Sequence, residues 1–280
     1  MMVFLNGRFV PEEKAVVSVF DRGFLYGDGL FEGIVIVGGR PFRWDQHMAR
    51  LEHGLKFLKI PLPIPFAELR KFALQLIKRN QMREAILRLS VSRGITERGY
   101  SPKNAVHPAV VMTLHPLPKL DWSKMPRWRV ITASFRLPAG DPLSSFKTAN
   151  KLTQVLARAE ADAAGAHEAI LLNPRGFLAE GTTSNLFWVQ RDTLCTPPLA
   201  TGALPGVTRA AVFDLCRQRG IPVKQSNART SALRSSDGAF LSMSSAGIVE
   251  IASLDGVKLP RSPLVKELWR DYRKLLTEES

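Results

Sequence analysis

The stretch FKTANKLTQVLARAEA, Phe146–Ala161, decides how this chain is read. It runs out of a loop rich in Gly, Pro and Ser into a helical pattern, and it places Lys147 and Lys151 four residues apart. A lysine at a helix start ordinarily snorkels into solvent. One with apolar and small neighbours is poorly solvated, which penalises its charged form and leaves an amine that can attack a carbonyl. Phe146, Thr148, Ala149 and Asn150 are neighbours of that kind. Read as one helix, the stretch puts both lysines on the same face, so periodicity leaves both readings open for each.

The chain on either side alternates strand-like and helix-like text. Asn6-Gly7 turns a hairpin in VFLNGRFV, and Gly38-Gly39 joins two strands in LFEGIVIVGGRPF. From Asp45 the apolar residues Met48, Leu51, Leu55 and Leu58 share a helical face, and a second helix spans Phe66 to Asn80. AILRLSVS and AVVMTL read as strands. HPLPKLDWSKMP, residues 115–126, follows neither period and is read as an interdomain linker between lobes at 1–114 and 127–280. The second lobe reads as strand WRVITASF, a helix over 152–164, a hairpin turning at 173–176, strand SNLFWV, helix GVTRAAVFDLCRQRG, strand text GAFLSMSSAGIVEI and a last helix over 264–276. The sum is an α+β pair of lobes.

At 280 residues and 45% hydrophobic content the chain supports a large core. Its net charge of +14 comes from 39 Lys and Arg that are scattered and form no basic run interleaved with aromatics. That pattern argues against nucleic-acid binding and for a field that draws in small anions. Cys195 and Cys216 form no disulfide framework and stand in no metal-ligand spacing with His, so no metal is expected. The N-terminus lacks a basic region ahead of an apolar one, and no apolar run approaches 18 residues; a soluble, cytoplasmic protein without a membrane partner is expected.

Four further features bear on chemistry. In AEGTTSNLF, Glu180 ends a strand and is followed by three hydroxyls and an amide; these either cap a tight turn or hold a carboxylate against a heteroaromatic nitrogen. In ALPGVTRAAVF, Pro205 and Gly206 open a helix whose first turn carries Val207 and Thr208, a plain cap or a seat for phosphate. SMSSAG, Ser242–Gly247, gathers hydroxyls and small residues where a strand ends. Arg50, near His47, is a bidentate cation or a surface ion pair. A carbonyl-reactive lysine, a carboxylate and several phosphate-holding groups make up the inventory that holds pyridoxal 5'-phosphate.

These residues carry a resemblance. DRGFLYGDGLFEGI, HMARL, VSRGITERGYSP, FKTANKLTQVLARAEA, GFLAEGTTSNLFWV, LPGVTR and FLSMSSA, in that order, resemble the class IV aminotransferases, the fold-type IV pyridoxal-phosphate enzymes. That family includes branched-chain and D-amino acid aminotransferases and aminodeoxychorismate lyases. The resemblance implies an N-terminal α/β lobe, a C-terminal pseudo-barrel lobe, an active site between them and a homodimer. It implies that Lys147 is the catalytic Schiff-base lysine, that Glu180 partners the pyridine nitrogen, and that Arg50, Val207, Thr208 and Ser244 hold the phosphate. Tyr26, Phe31, Gly33, Arg98, Tyr100, Ser245 and Ala246 match substrate positions. YGDGLFEGI is similar to the branched-chain group, whereas RGITERGYS is closer to aminodeoxychorismate lyases and Tyr100 replaces the histidine of D-amino acid aminotransferases. The expected activity is amino transfer between small α-amino acids and 2-keto acids; the rivals are an aminodeoxychorismate lyase making 4-aminobenzoate and pyruvate, and a non-catalytic basic binding protein.

Overall fold

The structure, a computed structural model, describes residues 1–117 and 123–279. Two compact units emerge among the described residues: 1–117 together with Phe146–Lys151 and 276–279, and 123–145 together with Leu152–Leu275. Residues 118–122 of the expected linker lie outside the described residues.

The first unit is a six-stranded sheet with helices on one face. Its elements are β1 (Met2–Leu5), β2 (Arg8–Pro11), α1 (Arg22–Tyr26), β3 (Gly29–Val37), β4 (Arg40–Pro41), α2 (Trp44–Leu58), α3 (Phe66–Asn80), β5 (Ala85–Ser92) and β6 (Val110–Pro116). The strand order is β2-β1-β6-β5-β3-β4 with every neighbour antiparallel. Both expected turns form, with Asn6 and Gly7, and Gly38 and Gly39, at positive φ, as two-residue hairpins require. β6 runs through His115 and Pro116, the start of the expected linker, because Ile86 and Ala85 continue the ladder.

Alternation sorts the sheet into two faces. Leu30, Ile34 and Ile36 of β3, Leu87 and Leu89 of β5, and Met112 and Leu114 of β6 are buried in one core with Met48, Leu51 and Leu55 of α2 and Leu69, Leu76 and Ile77 of α3. The intervening residues Phe31, Gly33 and Val35 of β3, and Ile86 and Arg88 of β5, therefore belong to the face without helices.

The second unit is built on β7 (Arg127–Arg136), α4 (Leu152–Ala163), β8 (Glu168–Leu172), β9 (Leu178–Gly181), β10 (Asn185–Gln190), β11 (Thr193–Thr196), α5 (Val207–Gln218), β12 (Val223–Gln225), α6 (Thr230–Arg234), β13 (Gly238–Met243), β14 (Gly247–Leu254), β15 (Val257–Lys258) and α7 (Pro263–Glu278). Strands β10, β13, β14, β7, β8 and β9 follow one another, and the pairing of Asn185 with Glu180 joins β9 back to β10. Six strands thus close into the expected barrel, with β7 parallel to both neighbours. GAFLSMSSAGIVEI forms two strands, because the Ser244–Ala246 turn breaks it ahead of Gly247 at φ +64°. A Cβ there would lie 2.6 Å from the Tyr272 ring, so only glycine lets α7 pack on that turn.

Candidate active site

The helix expected over 152–164 forms as α4, from Leu152, so the stretch around Lys147 lies ahead of it and no helical face joins the two lysines. The preceding residues extend along β3, whose edge β4 covers only at Ile36 and Val37. Phe31 N–H donates to the Lys147 carbonyl at 2.9 Å, Ala149 N–H donates to the Gly29 carbonyl at 2.8 Å, and Leu30 bridges Thr148. Phe146–Lys151, assigned from sequence to the second lobe, accordingly belongs to the first compact unit. The period here is two, so adjacent side chains part company. Phe146 is buried in the helix-side core, and Lys147 stands opposite Phe31 on the other face. Its Nζ lies 4.8 Å from the centroid of the Phe31 ring. Lys151 shares no helical face with it and stands one residue ahead of α4.

Two neighbours complete that face. The Arg88 guanidinium lies 3.9 Å from the same Phe31 centroid. Gly33 pairs with Arg88 in the ladder, and a Cβ on it would meet nothing within 4 Å. An amine, an aromatic ring, a guanidinium and open space over a glycine thus share one stretch of sheet. Arg88 escaped the sequence reading because its signal, a cation in the alternating strand AILRLSVS, equally describes a solvated position.

On the opposite face of β3, Glu32 is 1% exposed and carries a buried ion cluster. Arg50 donates to it through Nε at 2.9 Å and Nη2 at 2.6 Å, and His47 Nδ1 lies 2.7 Å from its Oε2. Burial opposes ionisation of Glu32, but hydrogen bonds from His47 and Arg50 and the guanidinium charge hold its pKa at about 2. A carboxylate only accepts, so His47 Nδ1 carries the proton. Burial pushes the His47 pKa down, and the Arg50 and Lys147 charges push it the same way against the pull of Glu32. Arg50 is therefore no surface ion pair but a guanidinium fixed from beneath. The sequence signal for Glu32 was an acid at an inward position of an apolar strand.

The loop after β5 carries Arg98 and Tyr100, both exposed, and the Tyr100 ring lies 5.4 Å from that of Tyr26.

In the second unit, Glu180 Oε2 accepts from the Leu204 N–H at 2.8 Å, while Asn185 Nδ2 donates to the Leu204 carbonyl at 2.8 Å. One residue is held through both its backbone groups, two residues ahead of Gly206, the N-cap of α5. That cap has no side-chain hydrogen bond, and Val207 and Thr208 are buried in the first turn. A Cβ at Gly206 would fall 2.0 Å from Asn185 Oδ1, so the close approach requires glycine. Next to Asn185 in register stands Ser242, whose buried hydroxyl has no hydrogen-bond partner among the described residues. Ser244, Ser245 and Ala246 form the turn that follows.

The hydroxyls of AEGTTSN turn to a buried side chain rather than to the backbone groups of their turn. Thr182, Thr183 and Ser184 all donate to Glu168, a fully buried carboxylate at the start of β8. Thr182 and Thr183 N–H add two more bonds. The segment is polar because it wraps a buried charge, which leaves Glu180 to face the α5 start.

Residues 29–254 match the family described as amino-transferase class IV. The chain belongs to the class IV aminotransferases. It is 38% identical over 280 residues to the "Putative branched-chain-amino-acid aminotransferase" of Methanocaldococcus jannaschii, covering 98% of this chain and 96% of that protein. It is 31% identical over 258 residues to the aminodeoxychorismate lyase of Bacillus subtilis, covering 91% and 87%. The solved branched-chain aminotransferase of Thermoproteus uzoniensis, with norvaline, superposes with a TM-score of 0.92 at 30% identity, covering 100% of this chain and 96% of that one. Class IV membership makes the chain an enzyme and leaves the basic binding protein without support. No helix among the described residues is long and apolar enough to cross a membrane.

Proposed function

We propose that this class IV aminotransferase uses pyridoxal 5'-phosphate to exchange amino groups between small apolar α-amino acids and 2-keto acids, with Lys147 as its reactive amine. The observation that carries the reading is the place of Lys147 opposite Phe31, on the sheet face that also holds Arg88 and the open space at Gly33. The norvaline of the Thermoproteus uzoniensis relative is an amino acid of the class proposed. The residues fit the cofactor. An α5 start without a side-chain cap and the partnerless Ser242 hydroxyl suit a phosphate, as do Val207, Thr208 and Ser244. Arg50, oriented by Glu32, adds a guanidinium of fixed direction.

Bound there, the cofactor supplies an electron sink for the substrate's Cα carbanion. The chain's own groups do the rest. Lys147 Nζ takes the proton from Cα and returns it. Glu180, anchored through Oε2, keeps the pyridine nitrogen protonated. Phe31 and Gly33 shape an apolar slot for the side chain, and Arg88 offers a planar pair of donors to a carboxylate. Tyr26, Arg98, Tyr100, Ser245 and Ala246 border the substrate in this reading.

The likeness to the Bacillus subtilis lyase favours one rival: expulsion of pyruvate from aminodeoxychorismate to leave 4-aminobenzoate. A single-turnover experiment separates the two. Leucine or valine added to the holoenzyme should shift the cofactor's visible band to the pyridoxamine form and release the matching keto acid. No shift with any amino donor, alongside 4-aminobenzoate formation, would select the lyase. The homodimer belongs to the same proposal: Val16, Val17, Val19, Phe20, Phe24 and Leu25 are large apolar side chains exposed close together in sequence, more than a monomer ordinarily leaves wet.

A further inference from the structure

Arg22 has no part in the roles above, yet it is one of the most heavily engaged side chains in the first unit. It follows Asp21, the N-cap of α1, and is 5% exposed. Its Nε donates to Asp28 Oδ2 at 2.7 Å. Its Nη1 donates to the carbonyls of Gly99 at 3.0 Å and Ser101 at 3.1 Å, and Nη2 to that of Tyr100 at 2.9 Å. The guanidinium lies 5.0 Å from the Tyr26 ring centroid, and that ring in turn contacts Tyr100.

Three consecutive carbonyls therefore converge on one buried cation. The loop they belong to is pinned at its base by the mutual backbone bonds of Ile95 and Val106, but residues 96–101 belong to no strand or helix. Backbone carbonyls of successive residues do not converge on one point in a strand, so turning three toward a single cation fixes the dihedrals of the residues between them. The planar fork of arginine, with five N–H donors, spans three acceptors and a carboxylate together; an ammonium with three donors does not.

We propose that Arg22 is the positioning residue of the substrate loop: by gathering the Gly99, Tyr100 and Ser101 carbonyls while stacking on Tyr26, it sets where Arg98, Tyr100 and Tyr26 present themselves to substrate. The proposal rests on the reading of those three as substrate-recognition residues. Arg22 touches no substrate atom itself; it acts through the loop. Asp28 Oδ2 also accepts from Arg93 Nε at 2.7 Å and so keeps a cationic partner when Arg22 is replaced.

Arg22→Lys is the test, run on the holoenzyme with two readouts. Limited trypsin digestion should cleave after Arg98 and Lys103 about tenfold faster than in the native enzyme, because local opening governs attack on a loop. KM for the amino donor should rise about tenfold while kcat stays within about twofold, the signature of lost binding with the chemistry intact. The cofactor's visible spectrum should not change. Arg93→Lys disturbs the same Asp28 but touches no loop carbonyl, and should leave both readouts at native values. An unchanged cleavage rate in Arg22→Lys, an unchanged KM despite faster cleavage, or an equal effect in Arg93→Lys would each overturn the proposal. If Arg22→Lys does not fold, Arg22→Gln is read in the same way. A native enzyme that turns over no amino donor would sink the functional reading and with it the substrate half of this proposal; the cleavage rates would still decide whether Arg22 holds the loop.

Discussion

Lys147 and Lys151 look alike as residues, and what separates them is one strand's worth of hydrogen bonds to β3. Lys147→Ala should abolish covalent trapping of the cofactor by borohydride and leave the fold intact, since the bonds that tie this stretch to β3 are made by backbone groups that alanine keeps. Retained trapping would move the reactive amine elsewhere. Glu32 is the residue that fixes the Arg50 guanidinium. Replacing it by glutamine removes the carboxylate that holds Arg50, at a cost of about 3 kcal/mol, measurable by denaturant unfolding. The acid response follows from its depressed pKa. A group held at about 2 against an ordinary 4.5 contributes its full stabilisation above pH 4.5 and loses it as pH falls toward 2. Glu32→Gln should flatten the unfolding curve in that window; an unchanged slope would mean that other carboxylates govern it.

Elements show where the chain has no freedom. The loop after β5 begins at Gly94, at φ +90°, where a Cβ would lie 2.2 Å from the Val106 carbonyl and 2.5 Å from that of His107. Backbone cannot step aside as a side chain can, so Gly94→Ala should cost about 3 kcal/mol and lower the thermal midpoint; a variant as stable as the parent would show that the loop relaxes. The turn from β9 to β10 is organised differently, by Glu168 beneath it. Glu168→Ala strips the donors of Thr182, Thr183 and Ser184 of their acceptor and should destabilise the second unit by several kcal/mol, on the order of 3–5. Sequence placed most helices and strands within a residue or two, because α2, α3, α5 and α7 each bury a stripe that their apolar spacing spells out. It left 147–149 as a plain connection ahead of the helix over 152–164, because a strand added by hydrogen bonds to a distant partner leaves no periodic trace of its own.

For the whole molecule, the exposed apolar side chains from Val16 to Leu25 predict association. Light scattering should give a dimer, and a Phe20→Asp, Phe24→Asp double variant should give a monomer; an unaltered mass would place the interface elsewhere. By itself the sequence determined the family and the class of the closed barrel, and it singled out Lys147, Glu180 and Arg50, because chemistry tied to a cofactor leaves ordered motifs in the chain. Only tertiary structure decided which lysine faces Phe31, that Glu32 and His47 lie beneath Arg50, that Arg88 joins Lys147 over one ring, and that Glu168 gathers the hydroxyls of AEGTTSN. Each of these is a pairing between residues far apart in the chain, set by strand register and by the need of buried charges for partners. Local periodicity carries no record of either.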